Sequence, residues 1–197
     1  MVTMTENVIA QDVLDFWFGS PDDPDHANSR EVWFKKDDAF DEQIRARFGA
    51  AVEMAQEGGL TDWVDNGSGS LALILMLDQF TRNLYRGSGR SFVADGRARE
   101  LAAGVLAANG EKDFTVVQRV FLYLPFEHSE KIEDQHRSMA LYRSLPDHPE
   151  RENWIDYAHK HFVIIERFGR FPHRNELLGR TSTEEELAFL MEPNSSF

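Results

Sequence analysis

The chain of 197 residues carries 34 acidic against 21 Lys or Arg side chains, a formal net charge of −13, and 42% of its residues are hydrophobic. That hydrophobic content excludes a disordered chain, and the acidic balance opposes nonspecific association with nucleic acid or an anionic membrane. Cysteine is absent, so disulfides, thiolate metal sites and cysteine nucleophiles are excluded.

Length and the apolar pattern set the expected architecture and compartment. A chain of 197 residues can bury a full core, so we expect a single domain over residues 1–197. The longest apolar stretch, Leu71 to Leu77, is far shorter than the roughly 20 residues that cross a bilayer, and no secretory signal is visible. We therefore expect a cytoplasmic protein with neither a membrane segment nor a nucleic-acid partner.

Apolar residues recur at helical steps from the start of the chain, whereas no segment keeps the two-residue alternation of a strand. The first predicted helix ends near Gly19, and the second, with Phe40 to Ala55 on its apolar face, stops at Gly58-Gly59. We interpret Gly67 to Ser70 as a break, after which Ser70 caps a central helix running to about Arg86.

The remaining apolar residues predict further helices near 91–108, 115–123, 126–144 and 150–168, with a short turn at 173–178. Ser182 and Glu185 form a capping-box pattern before a last helix. The predicted fold is all-α, a compact array of about eight or nine antiparallel helices without a regular sequence repeat.

Charged residues follow the apolar half of the predicted central helix. Asp78, Arg82 and Arg86 recur every four residues and therefore share one helix face. One interpretation is an ordinary ion pair between Asp78 and Arg82. The other is that Asp78 orients guanidinium groups, whose planar forks bind a carboxylate or phosphate. The spacing leaves both interpretations open.

A second candidate is the segment from Leu124 to Glu130. Pro125 suits the first turn of a helix, where Glu127 and Glu130 would complement the helix dipole. His128 lies between the two carboxylates, which can raise the pKa of a histidine and fit it for acid–base chemistry. The alternative is an ordinary, hydrogen-bonded structural histidine.

Two pairs of residues three apart concern metal binding. Glu133 with His136, and Asp156 with His159, resemble half of the Glu-x-x-His arrangement of di-iron bundles. The pattern is incomplete because such bundles need glutamates on two further helices and the second pair offers Asp. We expect no metal from it, and we expect His161, on an apolar stripe, to be buried in the core.

The densest polar run spans residues 167–175. Its donors are Arg167, Arg170, His173, Arg174 and Asn175. Gly169 can end one helix and Pro172 can begin another, so free backbone N–H groups would lie beside the arginines, as in an anion site. The alternative is that these arginines cap the preceding helix and fix the last helix to the body.

Several common motifs are absent from the sequence. It contains no Gly-x-x-x-x-Gly-Lys-Ser/Thr loop, Gly-x-Gly-x-x-Gly turn, His-Glu-x-x-His helix or Gly-x-Ser-x-Gly elbow. Common nucleotide, zinc-protease and esterase chemistries therefore lose support, and we expect no cofactor.

Five segments carry a resemblance: 12–19, 77–83 with Arg86-Gly87, 125–130, 168–175 and 195–197. In combination they resemble the bacterial family catalogued as domain of unknown function 924. The resemblance spans the chain and implies an all-α, tetratricopeptide-like helical fold, but it implies no activity. Thr81 stands where the resemblance leads us to expect proline, and Glu127 stands where methionine is often found.

The motifs lead to one functional hypothesis and two alternatives. We expect a pocket for a small anionic ligand bearing phosphate or carboxylate, with His128 or His173 as the acid–base residue if that ligand is converted. Its expected binding residues are Asp78, Arg82, Arg86, His128, Arg167, Arg170, His173, Arg174 and Asn175. The alternatives are an interaction scaffold that holds a protein partner in a groove between helix pairs, and a metal-binding helical protein.

Overall fold

The computed structural model describes residues 8–65, 67–193 and 195–196. Over these ranges the chain forms eight helices and no strand, which confirms the predicted compact all-α array. Phe197, the last residue of the family-like motifs, lies outside the described residues. The helices are α1 (Ala10–Phe18), α2 (Asp38–Gln56), α3 (67–84), α4 (Asp95–Ala107), α5 (Val116–Glu127), α6 (Ile132–Arg143), α7 (Arg151–Phe168) and α8 (Glu184–Leu190).

Short 3-10 turns connect these helices. They lie at Glu31–Trp33, Thr61–Asp65, Gly89–Phe92, Gly110–Asp113, Pro172–Arg174 and Glu176–Leu178. The last two confirm the turn predicted at 173–178. Arg174, the last residue of the Pro172–Arg174 turn, is buried, so this turn brings the polar run back against the helices that precede it.

The ends of the first two helices follow ordinary capping chemistry. Gly19 follows α1 with a φ of +84°, a conformation that favours glycine, and it ends the helix where predicted. Asp37 starts α2, since its carboxylate accepts hydrogen bonds from the backbone N–H groups of Ala39 and Phe40. Local sequence therefore fixes both boundaries.

The central helix α3 is buried on every side, as its apolar sequence predicts. Leu71 to Leu77 are each at most 1% exposed. The predicted break at Gly67 to Ser70 is wrong, because the chain is already helical from Gly67. Gly69 serves a close approach instead, since a side chain there would overlap the backbone carbonyl of Trp63.

Helix α3 changes its winding in the middle. Gly67–Ile74 and Thr81–Leu84 are α-helical, whereas Leu75–Phe80 form a π-helical segment. Such segments are rare and occur frequently at functional sites. Asp78 lies in this segment, at 1% exposure.

Aromatic side chains from several helices fill the core. The ring of Trp17 on α1 packs against those of Trp33, Phe80 and Phe121, with centroids 5.4 to 5.9 Å apart. A smaller cluster joins Ile164 and Ile165 of α7 to Phe171, with further apolar side chains packed against it. This second cluster holds the polar run against α7.

Two predicted boundaries are corrected by the structure. Pro125 lies in the last turn of α5 rather than at the start of the next helix, so Glu127 is the last residue of α5 and His128 follows it. The capping box before α8 is formed by Thr183 and Glu186, one residue later than predicted. None of the described helices is long and apolar enough to cross a membrane.

Candidate functional site

Ionisable side chains from four parts of the fold meet in one buried network. Asp78 and Arg82 come from α3, Asp95 from the first turn of α4, His128 from the end of α5, and Arg174 from the polar run. These five side chains are joined by contacts of 2.7 to 3.3 Å. We call them the central network.

Asp78 is the acceptor at the centre of the network. His128 Nδ1 lies 2.7 Å from its Oδ1, and Gln79 Nε2 donates to its Oδ2 at 2.6 Å. Arg82 Nη1 lies 3.3 Å from Oδ1 and donates at 2.5 Å to the backbone carbonyl of Asp78. Burial alone would raise the pKa of Asp78, but the charge of Arg82 and the hydrogen bonds from His128 and Gln79 hold it well below its usual range.

His128 is held by Asp78 through one of its two ring nitrogens. Because Asp78 is ionised and accepts, Nδ1 carries the hydrogen and the neutral ring keeps its lone pair at Nε2. Within the described part of the chain, Nε2 makes no hydrogen bond, and 13% of the side chain is exposed. Burial and then the charge of Arg82 lower the pKa of His128, so the predicted rise is wrong.

Asp95 bridges the two guanidinium groups of the network. Arg82 donates to both of its carboxylate oxygens, at 3.0 and 3.1 Å, in a bidentate pair. Arg174 Nη1 donates to Oδ2 at 3.3 Å. One carboxylate therefore serves two guanidinium groups, which repel each other.

Arg174 is the most deeply buried cation of the network, at 6% exposure. Its guanidinium lies 4.5 Å from the ring centroids of both Phe92 and Phe171. Its Nε has no hydrogen-bond partner in the described residues. Burial, followed by repulsion from Arg82, lowers the pKa of Arg174 to about 10.

A second histidine–carboxylate pair lies beside the central network. His161 on α7 places Nδ1 3.0 Å from Glu127 Oε1 and 2.9 Å from the carbonyl of Tyr157. The rings of His128 and His161 have centroids 6.0 Å apart. Burial and the neighbouring Glu127 raise the pKa of Tyr142 well above its usual value, so its hydroxyl stays a donor.

His173 joins this region from the polar run. Its ring packs against Phe171 with centroids 5.6 Å apart. Burial and then the charge of Arg174 lower the pKa of His173 to about 3, with smaller contributions from His161 and His128. His173 is therefore neutral near pH 7.

The structure places several predicted site residues outside the central network. Arg86 forms a bidentate pair with Asp41 on α2, at 2.6 and 3.0 Å. Asn175 Nδ2 donates to Ser182 Oγ at 3.0 Å, and Asn175 Oδ1 accepts a hydrogen bond from Arg180 Nε at 2.9 Å. These side chains hold neighbouring segments together, and their predicted binding role gains no support from the geometry.

The other two arginines of the run fix the last helix. Arg170 donates to both carboxylate oxygens of Glu186 on α8, at 2.6 and 2.7 Å. Arg167 pairs with Glu185 at 2.9 Å. Both contacts agree with the alternative interpretation, in which the run fixes the last helix to the body.

The candidate metal ligands lie on α6 and α7 beside one aromatic ring. His136 and His159 have ring centroids 5.1 and 6.4 Å from that of Phe162. Over residues 8–65, 67–193 and 195–196, no group of three or more His, Asp or Glu side chains has the arrangement to hold a metal ion.

Several residues of the site were missed at the sequence level. Asp95 was assigned no role, although it falls within the helix predicted near 91–108, and Glu130 and Arg180 were not assigned a contact. Arg180 forms a bidentate pair with Glu130, at 2.7 and 2.9 Å, and the backbone N–H of Phe171 donates to the same carboxylate at 2.8 Å. The only local sequence signal of these contacts is that their partners carry opposite charges, and charge alone does not specify which residues pair.

A separate cleft of about 760 Å³ lies between α1, the following loop and α2. Phe16, Arg30, Phe40 and Arg47 are among the residues that line it. It contains none of the central network's residues, so the network and this cleft are distinct features.

Fold and site together define an all-α protein with a buried network of arginines, histidines and carboxylates. The chain belongs to the family described as bacterial protein of unknown function (DUF924), whose model matches residues 13–194. It is similar to the solved structure of a protein of unknown function, ATU0120, from Agrobacterium tumefaciens. The two share 37% identity and a TM-score of 0.81, over 92% of this chain and 96% of that one. No curated protein matches the chain.

Proposed function

We propose that the protein binds a small anionic ligand, bearing phosphate or carboxylate, beside Arg82 and Arg174 of the central network. The observation that carries this proposal is the incomplete pairing of Arg174, whose Nε has no partner among the described residues although the side chain is 6% exposed. A buried cation with an unused donor gains more from an added anion than an exposed one does.

The bridge at Asp95 supports the same location. Its single carboxylate is shared by two guanidinium groups, which repel each other and contribute to the lowered pKa of Arg174. An anion near Arg174 would compensate this repulsion. The planar guanidinium also offers the geometry that carboxylate and phosphate oxygens accept.

His128 is the proposed acid–base residue of this site. Asp78 fixes its ring and tautomer, so Nε2 presents a lone pair at neutral pH. A residue of this kind can exchange a proton with a bound ligand while Arg82 and Arg174 stabilise negative charge on that ligand. His173 is the second candidate.

An interaction scaffold is the alternative function, consistent with the tetratricopeptide-like fold that the family resemblance implies. Exposed apolar side chains on and after α8 favour it, since Leu187 is 55% and Met191 is 87% exposed. Arg167 and Arg170, which could hold acidic side chains of a partner in such a groove, are, however, engaged in ion pairs with Glu185 and Glu186.

A thermal-shift screen against phosphorylated and carboxylic metabolites tests the anion proposal. We expect at least one of them to raise the melting temperature of the wild type in a concentration-dependent way, and we expect the effect to be lost in Arg174→Met. Methionine keeps an apolar stem between the two Phe rings but removes the donors.

Arg90→Met is the matched control, because Arg90 also stacks on an aromatic ring, that of Tyr85, but is exposed. It should keep the ligand response. Absence of stabilisation by every metabolite of both classes would reject the anion site. A protein partner that copurifies in stoichiometric amount, and is lost when Leu187 is changed to Glu, would favour the scaffold.

A further inference from the structure

The charged side chains around His128 oppose the binding of an added anion unless a new positive charge compensates it. Asp78 on α3 contacts His128 directly, and the other carboxylates on the elements that meet at the network are Asp95 on α4, Glu127 at the end of α5, Glu130 in the next loop and Asp134 on α6. The guanidinium groups are Arg82, Arg99, Arg174 and Arg180. Five negative and four positive charges leave a formal sum of −1 when the histidines are neutral.

Each of these charges is part of a close contact. Arg99 Nε lies 3.1 Å from Asp134 Oδ2, and its Nη1 donates to Ser129 Oγ at 3.3 Å, next to His128. An anion that enters beside Arg174 adds negative charge to a half-buried region that is already negative in sum. Burying such a charge is costly unless a positive charge appears with it.

Histidine side chains are the groups that can supply that positive charge, and their surroundings differ. His161 shares its Nδ1 hydrogen between Glu127 and the carbonyl of Tyr157. His173 faces the repulsion of Arg174. His128 has the carboxylate of Asp78 2.7 Å from Nδ1, so an imidazolium there keeps an ionised partner, and its Nε2 is available to take the proton.

We propose that anion binding at this site is coupled to the uptake of one proton by Nε2 of His128. The inference rests on the proposed function, because it describes how that site accepts its ligand. The proton comes from solvent and adds to the lone pair of the ring, and no other bond forms or breaks. The ligand and the proton together leave the buried charge of the site less changed than the anion alone would.

The coupling gives binding a defined pH dependence. Where one proton is taken up, the association constant rises about tenfold for each unit by which the pH falls, until His128 is protonated without ligand. A ligand whose own charge does not change in this range separates the protein's proton from the ligand's. Sulfate meets this condition, and acetate provides a carboxylate with the same property near pH 7.

Isothermal titration of the full chain with sodium sulfate and sodium acetate tests the proposal. The titrations are run at pH 7, at constant ionic strength, in two buffers with different ionisation enthalpies. The difference between the binding enthalpies observed in the two buffers, divided by the difference between the ionisation enthalpies of the buffers, gives the number of protons taken up. We expect a value of about one proton per anion bound. His128→Gln should bind more weakly, without proton uptake and with affinity independent of pH.

His148→Gln is the matched control, because His148 stacks on Trp154 away from the network, with centroids 4.7 Å apart. It should behave as the wild type. If His128→Gln does not fold, the ¹⁵N resonance of Nε2 in the labelled wild type, recorded with and without sulfate, reports the same protonation directly.

The possible results separate the two proposals. Binding with proton uptake that is lost in His128→Gln supports the coupling. Binding without proton uptake, or with uptake that persists in His128→Gln, overturns the coupling and leaves the anion site in place. Failure of both anions to bind overturns the anion site itself, and the coupling falls with it.

Discussion

Replacing Asp78 by asparagine tests whether the central network is ionised and whether it stabilises the fold. The side chain keeps its size and one acceptor oxygen, but it loses the charge that faces Arg82 and His128. Asp78 is 1% exposed, so water cannot replace the lost charge. The change therefore isolates the electrostatic contribution of one buried carboxylate.

Removing one partner of a buried ion pair costs about 3 to 5 kcal/mol, because it leaves the other charge uncompensated. Arg82 keeps its bidentate contact with Asp95, at 3.0 and 3.1 Å, so the expected loss lies at the lower end. We predict that Asp78→Asn lowers the free energy of unfolding by about 3 kcal/mol, equivalent to about 6 to 12 °C in melting temperature.

Urea unfolding at pH 7, followed by circular dichroism, measures this difference. Asp156→Asn is the control, since Asp156 pairs with Lys160 at 2.7 Å but is 57% exposed, and exposed pairs contribute about 0 to 1 kcal/mol. A loss in Asp78→Asn no larger than that of the control would refute an ionised, compensating Asp78.

The pH dependence provides a second measurement on the same variant. The folded-state pKa of Asp78 is held below its unfolded value, so its contribution is present above the unfolded pKa of about 3.9 and is lost as the pH falls towards the folded one. The difference between wild type and Asp78→Asn should therefore stay constant from pH 7 to pH 5 and shrink only below pH 4.

Three further predictions concern other parts of the fold. The pKa of His173 is lowered to about 3 in the folded state, so below about pH 6.5 the unfolded state binds a proton that the folded state does not, and the free energy of unfolding decreases. His173→Gln removes this effect, so its free energy of unfolding, measured with urea, should decrease by about 2 kcal/mol less than that of the wild type between pH 7 and pH 5. Arg170→Gln should speed amide hydrogen exchange in residues 184–190, measured by mass spectrometry, with little change elsewhere. Gly69→Ala should destabilise by about 1 to 3 kcal/mol because its methyl group overlaps a backbone carbonyl, whereas exposed Gly104→Ala should stabilise by about 0.4 to 1 kcal/mol; equal effects in thermal unfolding would contradict the packing argument.

Helix content could be predicted from the sequence because local signals determine it. The apolar run from Leu71 to Leu77 can be buried on every side only in a helix at the centre of the fold, and that is where it lies. Gly19 and Gly169 end α1 and α7 as predicted, with φ values of +84° and +68°. Periodicity and caps act over a few residues and are visible in any single sequence.

The signal at Pro125 was ambiguous for a physical reason. Proline suits the first turn of a helix, but it is also tolerated near the end of α5, where it removes one hydrogen bond and α5 stops two residues later. Glu127 therefore lies at the end where the helix dipole disfavours a carboxylate. His161, which was expected only to be buried, provides the compensating contact.

Pairing within the central network could not be predicted because it joins distant residues. Asp95 follows Arg82 by 13 residues and precedes Arg174 by 79. Nothing in the local sequence of Asp95 distinguishes it from any other acidic residue in the first turn of a helix. The predicted residues Asp78, Arg82, His128, His173 and Arg174 do lie together, while the three-dimensional packing directs Arg86, Arg167 and Arg170 elsewhere.

The π-helical segment Leu75–Phe80 sets the direction in which the second half of α3 faces. A π turn accommodates one residue more than an α turn, and each residue of an α-helix rotates the chain by about 100°. Deleting Met76 would restore regular winding and leave the composition of the helix almost unchanged, yet it would rotate Arg82 by about that angle relative to Leu73. The number of residues in this segment is therefore under constraint, as well as their identity. A natural or engineered single-residue deletion here should leave the helix folded but prevent the network from assembling.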